Sequence, residues 1–165
     1  MLRPATIMLL VFASLASARA ETYRIYSNPR FGATADVPSG WRSEPPPANG
    51  DGLIFDSPDG GASITVSGRL NIEDTAQQAM QQALQPNDGE TITYLQSGKD
   101  WVVVSGINGA KIFYRKSMLV CRNQIWNDVD LEYPAAQKVA YDALVNHVAG
   151  SLRFSGKSAQ IPNCR

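Results

Sequence analysis

Four β-type runs follow one another between residues 90 and 133: "ETITYLQ" (90–96), "WVVVSG" (101–106), "AKIFYRKSMLVC" (110–121) and "QIWNDVDLEY" (124–133). Only two to four residues separate them, and "SGKD" (97–100) and Asn108-Gly109 are tight-turn chemistry, Asn-Gly being a strong short hairpin signal. Parallel neighbours need crossovers of a dozen residues or more, so links this short restrict the segment to antiparallel pairing.

The chain upstream reads the same way. "TYRIYS" (22–27) and "FGATADV" (31–37) flank "NPR", and Pro38-Ser39-Gly40 ends the pair. "LIFDS" (53–57) and "ASITVSG" (62–68) lie on either side of Pro58-Asp59-Gly60-Gly61. There proline presets φ, aspartate bonds its own backbone and glycine accepts positive φ, so the segment is a turn between strands. A calcium loop spaces oxygen ligands at alternating positions and closes with a bidentate acid. Asp51, Asp56 and Asp59 do not have that spacing, and no glutamate follows before Glu73. "EPPPANGDG" (44–52) carries three consecutive prolines, which a central strand excludes, and reads as an irregular loop.

Two segments change to helical periodicity. The first opens with Asn71 as a cap and with Glu73 and Asp74 as first-turn acids, aligns Ala76, Ala79, Met80, Ala83 and Leu84 on one face, and stops at Pro86. Its five glutamines lie mostly off that face. The second opens at Pro134 and runs to about Leu152, with Ala140, Tyr141, Leu144, Val145, Val148 and Leu152 as its apolar stripe and His147 at the stripe's edge. A mostly antiparallel sheet of seven or eight strands with two separated helices predicts an α+β layered domain without internal repeats.

Residues 1–20, "MLRPATIMLLVFASLASARA", have a basic start at Arg3, an apolar run from Ile7 to Leu15 and a small-residue box ending at Ala20. They read as a secretory signal peptide cleaved between Ala20 and Glu21. The run falls short of the roughly 20 apolar residues that spanning requires, no later stretch approaches that length, and no cysteine near the cleavage site offers a lipid anchor. The expected product is periplasmic or secreted. It comprises one domain over 21–155 and a tail over 156–165.

Cleavage removes Arg3 and Arg19 and no acid, leaving 13 basic against 15 acidic side chains, a net charge of −2. A nucleic-acid binder needs a basic stripe, whereas here "YRK" at 114–116 is the densest basic spot, so nucleic acid is not an expected partner. The two cysteines, Cys121 and Cys164, are expected to form a disulfide in an oxidising compartment and to tether the tail. No CxxC is present to suggest redox or metal chemistry.

Catalytic arrangements lack parts. A Ser-His or Cys-His pair must use His147, the sole histidine, on a face expected to pack, and no G-x-S-x-G elbow or phosphate-binding glycine motif occurs. A tetrahedral metal site needs several ligands at set spacings. No catalytic residue, metal or cofactor is therefore assigned. Asp128, Asp130 and Glu132 alternate on one run and so share one strand face; they are read as a solvent face opposite Ile125, Asn127, Val129 and Leu131, with a carboxylate hydrolase as the weakest functional alternative. Trp41, Trp101 and Trp126 each lie at or near a strand end, where an aromatic more often closes a core than stacks on a ligand, and Trp101 above all is expected in the core because it begins a very apolar run.

"YSNPRFGATADVPSGW" (26–41), "DGLIFDSPDGGASITVSG" (51–68), "WVVVSG" (101–106) and "EYPAAQKVAYDALVNHVAGSLR" (132–153) together resemble the Mog1/PsbP-like superfamily, in particular the bacterial exported DUF1795 and DcrB-like group. The resemblance covers about residues 22–155 in the order and spacing of turn and core motifs. It implies an α-β-α sandwich with a central antiparallel sheet. Members of the superfamily, among them a nuclear transport factor, an extrinsic photosystem subunit and secretion-effector chaperones, dock to other macromolecules; the resemblance carries over no functional residues. The expectation is a non-enzymatic envelope protein that binds another envelope protein through the 44–52 loop, with Pro46 and Pro47, and the neighbourhood of Trp126. The alternative is a small-ligand binder with its site between sheet and helices.

Overall fold

The computed structural model describes residues 21–164. The leader read over 1–20, with Ala20 of its cleavage box, lies outside the described residues. Ten strands and two α-helices follow: β1 (Tyr23–Ser27), β2 (Ala33–Pro38), β3 (Arg42–Ser43), β4 (Gly52–Asp56), β5 (Ser63–Leu70), α1 (Ala76–Ala83), β6 (Glu90–Ser97), β7 (Trp101–Asn108), β8 (Lys111–Val120), β9 (Ile125–Pro134), α2 (Lys138–Ser151) and β10 (Arg153–Phe154).

The strands form two sheets rather than the single one expected: a seven-stranded sheet in the order β3-β4-β5-β9-β8-β7-β6 and a three-stranded sheet in the order β1-β2-β10. Every pairing is antiparallel. The short links after Gly89 produce the β6-β7-β8-β9 meander, with Gly109 at φ +59 in the hairpin between β7 and β8. The Pro58-Asp59-Gly60-Gly61 turn forms as its chemistry predicts: Asp59 Oδ1 accepts from the Ser57 hydroxyl and the Gly61 N–H, and Gly60 takes φ +70.

Each strand of the large sheet divides its residues between two faces. Phe55, Ile64, Val66, Val129, Leu131 and Tyr133 face the small sheet and α2, where they meet Ala35 and Val37 of β2 and Val145, Val148 and Leu152 of α2. This continuous apolar layer is the main core. Lys116, on the same face, donates to the Ala149 carbonyl at 2.8 Å, placing a cation at the carboxyl end of α2 where the helix dipole favours it. The opposite face carries α1, whose Ala79 packs with Leu119 of β8 and Trp126 of β9.

Helix boundaries differ from the sequence reading. The first helix is capped by Thr75, whose hydroxyl accepts from the Gln78 N–H while Gln78 Oε1 accepts from the Thr75 N–H, a reciprocal capping box. Asn71 accepts from the Glu73 N–H and donates to the Asn123 carbonyl instead, so Glu73 and Asp74 precede the helix rather than form its first turn. The second helix begins at Lys138, after a 3-10 turn over Ala135–Gln137; Pro134 is the last residue of β9, and Ala140 is exposed.

Cys121 and Cys164 are disulfide-bonded, their Cα atoms 4.8 Å apart. The bridge sits with Phe31 and Ile125 in a small second core. Cys121, Arg122 and Asn123 all take left-handed backbone (φ 57, 52 and 67) in the turn from β8 to β9. Each such non-glycine residue costs about 1 kcal/mol; the Asn71 bond to Asn123 and the disulfide help to hold them there. The tail packs rather than trails, with the Ser158 hydroxyl donating to the Arg30 carbonyl and the Ala159 N–H to that of Pro29.

Candidate functional site

Chemistry concentrates on the α1 face of the large sheet. Strand register places Asp128 opposite Ser67 of β5 and Ser117 of β8, and Asp130 opposite Thr65 and Arg115. Alternation thus sets the acids on one face as the sequence predicts, but that face is not simply solvent. Asp128 is 5% exposed and Asp130 partly buried, because α1 and the chain following it pass over them; only Glu132, farther along and 3.6 Å from the Lys111 ammonium, behaves as a surface group.

Between α1 and the sheet lies a cavity of about 490 Å³, walled by Ala79, Ala83 and Trp126, floored by Asp128 and Asp130 and flanked by Arg69 and Arg115. Its existence follows from the helix sequence. The α1 residues turned to the sheet are mostly alanines, too short to fill the space that leucines would occupy.

The charges inside are unevenly paired. Arg115 holds Glu90 with two hydrogen bonds, 3.1 and 3.3 Å, in a pair that is largely buried, and also donates to the Gln85 carbonyl just beyond α1. Burial opposes ionisation of Glu90, but the Asn87 N–H and Arg115 outweigh it and hold the carboxyl below its ordinary range. Arg69 stands 3.4 Å from Asp128 Oδ2 and 5.2 Å from the centre of the Trp126 ring. Asp128 Oδ1 and the Ser117 hydroxyl are buried side by side on neighbouring strands, and the hydroxyl favours the charged form of the carboxylate.

Asp130 has no ion-pair partner among the described residues, since its cross-strand neighbour Arg115 is turned to Glu90. Burial, followed by the adjacent Asp128 carboxylate, pushes Asp130 up to about 7 against the opposing pull of Arg115 and Arg69. Burial likewise pushes Asp128 upward, against the pull of Arg69, the Ser117 hydroxyl and Arg115. The arrangement can hold a cation or exchange a proton near neutrality.

The other expected site residues fall in different places. Trp126 is 2% exposed beneath α1, so its side chain is a wall of the cavity rather than an outward contact surface. Pro46 and Pro47 are exposed on the loop between β3 and β4; Pro45 and Pro47 border a smaller cavity of about 260 Å³ with Leu53 and Ile54. Ser67 lines both cavities, so the proline loop and the Trp126 neighbourhood belong to one surface. Trp101, expected in the core, is only half-buried: its indole lies against Gly98, where a Cβ would collide with the ring, while Val102, Val103 and Val104 take the interior. His147 is partly exposed, stacks on Tyr23 with ring centroids 3.7 Å apart, and lies 3.1 Å from Asp36 Oδ2. It sits on the α2 side of the sheet, away from the carboxylates.

Sequence reasoning missed Arg69, Arg115 and Glu90. Arg115 stood within "YRK", a cluster weighed only as a basic patch. No group of three or more His, Cys, Asp or Glu side chains is disposed to hold a metal ion among the described residues. No helix among them is long and apolar enough to cross a membrane.

No protein-family model matches the sequence, and no curated protein sequence matches it. Solved structures do match. The cyanobacterial PsbP (CyanoP) of Synechocystis sp. PCC 6803 superposes with a TM-score of 0.60 at 12% identity, covering 87% of this chain and 98% of its own. The Ran-binding protein Mog1p of Saccharomyces cerevisiae does so with a TM-score of 0.53 at 8% identity, covering 82% of this chain and 97% of its own. The chain therefore has the Mog1/PsbP-like fold, two helices packed against a large antiparallel sheet, as its motifs predict.

Proposed function

We propose that the chain is an exported, non-enzymatic binding module of the DUF1795 and DcrB-like kind, which docks to another protein of the cell envelope through the α1 face of its large sheet. The observation that carries this reading is the continuity of that face. It runs from the proline loop through Ile54 and Ser67 to the α1 cavity and ends at Leu70 and Ile72, which are 42% and 89% exposed. Exposed apolar side chains around a charged depression give a partner both area and specificity. The disulfide agrees with an oxidising compartment, and the fold is one that serves binding in Mog1p, which carries the description Ran-binding.

The test is photocrosslinking in intact cells from single positions on the two sides of the molecule. Crosslinkers at Ile72 and Ile54 are expected to capture one reproducible envelope protein at near-equal abundance, while Val139, exposed at the start of α2, captures none. Equal capture from Val139, or none from either α1-face position, rejects the docking surface.

A further inference from the structure

We infer that the cavity between the last turn of α2 and strands β7 and β8 binds a small aromatic carboxylate, with Lys116 as its counter-ion. The site lies on the opposite face of the large sheet from the α1 surface, so the inference stands apart from the docking reading.

The space exists because α2 ends on small residues. The helix packs on β5 and β9 through Val145, Val148 and Leu152, but its last turn offers only Ala149 and Gly150 toward β7 and β8. A Cβ built on Gly150 would meet no atom of the sheet within 4 Å, so this wall stands open. About 360 Å³ is left, lined on the sheet side by Trp101 and Val103 of β7 and by Tyr114, Lys116 and Met118 of β8. Strand pairing brings these together, with Trp101 opposite Met118 and Val103 opposite Lys116, and alternation turns them to one face.

Charge selects the ligand's polar end. Lys116 is the single charged side chain in the lining, and no carboxylate lies within ion-pairing distance of it among the described residues. One ammonium N–H goes to the Ala149 carbonyl, which leaves the remaining donors for the cavity. Burial disfavours the charge and lowers the Lys116 pKa, with no acid offsetting the effect. A carboxylate seated there would supply the missing counter-ion through a charge-assisted hydrogen bond. Asn146 and Gln96 line the same cavity and offer amide donors to its second oxygen.

The remaining walls select the body. Trp101 and Tyr114 bring aromatic surface, and the Met118 thioether between β7 and β9 is a favourable neighbour for a ring. The volume is at the small end of ligand sites, which suits one ring on a short acid arm. An inorganic anion would leave the apolar walls uncovered, and an uncharged ring would leave Lys116 unpaired; an aryl acid satisfies both.

The experiment is a titration of the purified, disulfide-bonded protein followed by NMR at the Trp101 indole N–H and the Met118 methyl group. The probes are 3-phenylpropionate, 3-phenylpropionamide, hexanoate, acetate and inorganic phosphate. Saturable binding of 3-phenylpropionate that shifts both signals, weaker binding of every other probe and about tenfold weaker binding in Lys116→Met support the proposal. Gly150→Leu fills the cavity from an open helical position where glycine is a poor helix former, so that variant keeps its fold and should abolish binding. It decides the question if Lys116→Met does not fold. Equal or tighter binding of the amide, hexanoate, acetate or phosphate, unchanged affinity in either variant, shifts at the Trp126 indole in place of Trp101, or no saturation by about 10 mM overturns the proposal.

Discussion

Strand β9 presents Val129 and Leu131 to one side of the large sheet and Asp128 and Asp130 to the other, and the two sides are built on different terms. The α2 side is a packed layer where aliphatic and aromatic side chains from both sheets and one helix meet, with a cavity of about 360 Å³ left toward β7 and β8 beside Trp101, Lys116 and Leu152. The α1 side is covered by an eight-residue helix whose sheet-facing side chains are mostly alanines, and it wholly or partly buries four charged groups above the same strands. One side is closely packed where α2 and β2 cover β5 and β9. The other gives up packing to keep a charged cavity under a thin cover, and polar groups buried at some expense to stability are a feature of functional sites.

The comparison is broken most severely from the packed side. Leu131→Ala, at a position 2% exposed, should destabilise the protein by about 3 kcal/mol, read as a lower urea midpoint at unchanged slope. A loss below about 1 kcal/mol would mean that the apolar layer is not the principal core.

Removing Arg115 tests the other side. Arg115→Met strands Glu90 in a largely buried position and releases the Gln85 carbonyl, for an expected loss of about 2 to 3 kcal/mol, below the usual range for a broken buried pair because Glu90 keeps its Asn87 bonds. Hydrogen exchange should rise in α1 before it rises in β9. Simultaneous exchange in both would show that α1 and the sheet open as one unit.

The third prediction has the opposite sign. Between about pH 4 and 7 the native state keeps a proton on Asp130 that the unfolded chain has released, so stability falls as pH rises and levels off above about 7. Because partial exposure discounts the full shift, Asp130→Asn should gain about 2 kcal/mol over the wild type at pH 8 and little at pH 4. Parallel pH profiles of the two proteins would contradict the burial assigned to this carboxylate. Finally, Thr75→Ala, which removes the cap of α1, should cost about 1 kcal/mol and increase local exchange in the cover with little effect on the packed core.

Much of this division was legible before folding. Period-2 alternation in 125–133 separates the aliphatic from the acidic residues, and the turn chemistry at 58–61 and 108–109 orders the strands, because both depend on neighbours a few positions apart. The first helix was legible in kind and wrong at its start: "TAQQ" holds the Thr-x-x-Gln capping pattern, yet Asn71 offered equivalent cap chemistry earlier in the chain. Its actual partner, the Asn123 carbonyl, is 52 residues away. Trp101 misled for a related reason. An indole at the head of an apolar run reads as core, but β6 and β7 lie at the margin of the sheet, where the ring covers Gly98 instead of entering the interior.

The amino-acid sequence by itself determined that the chain forms antiparallel strands with two helices, that Asp128 and Asp130 share a face, and that two cysteines are available for a bridge. These are consequences of backbone geometry and residue type. Tertiary structure decided that α1 would roof the acids, that Arg115 would turn to Glu90 across 25 positions and leave Asp130 without a counter-ion among the described residues, and that Trp126 would become a buried wall. Strand alternation specifies which residues point the same way, whereas burial and charge pairing depend on what a distant part of the chain lays over them.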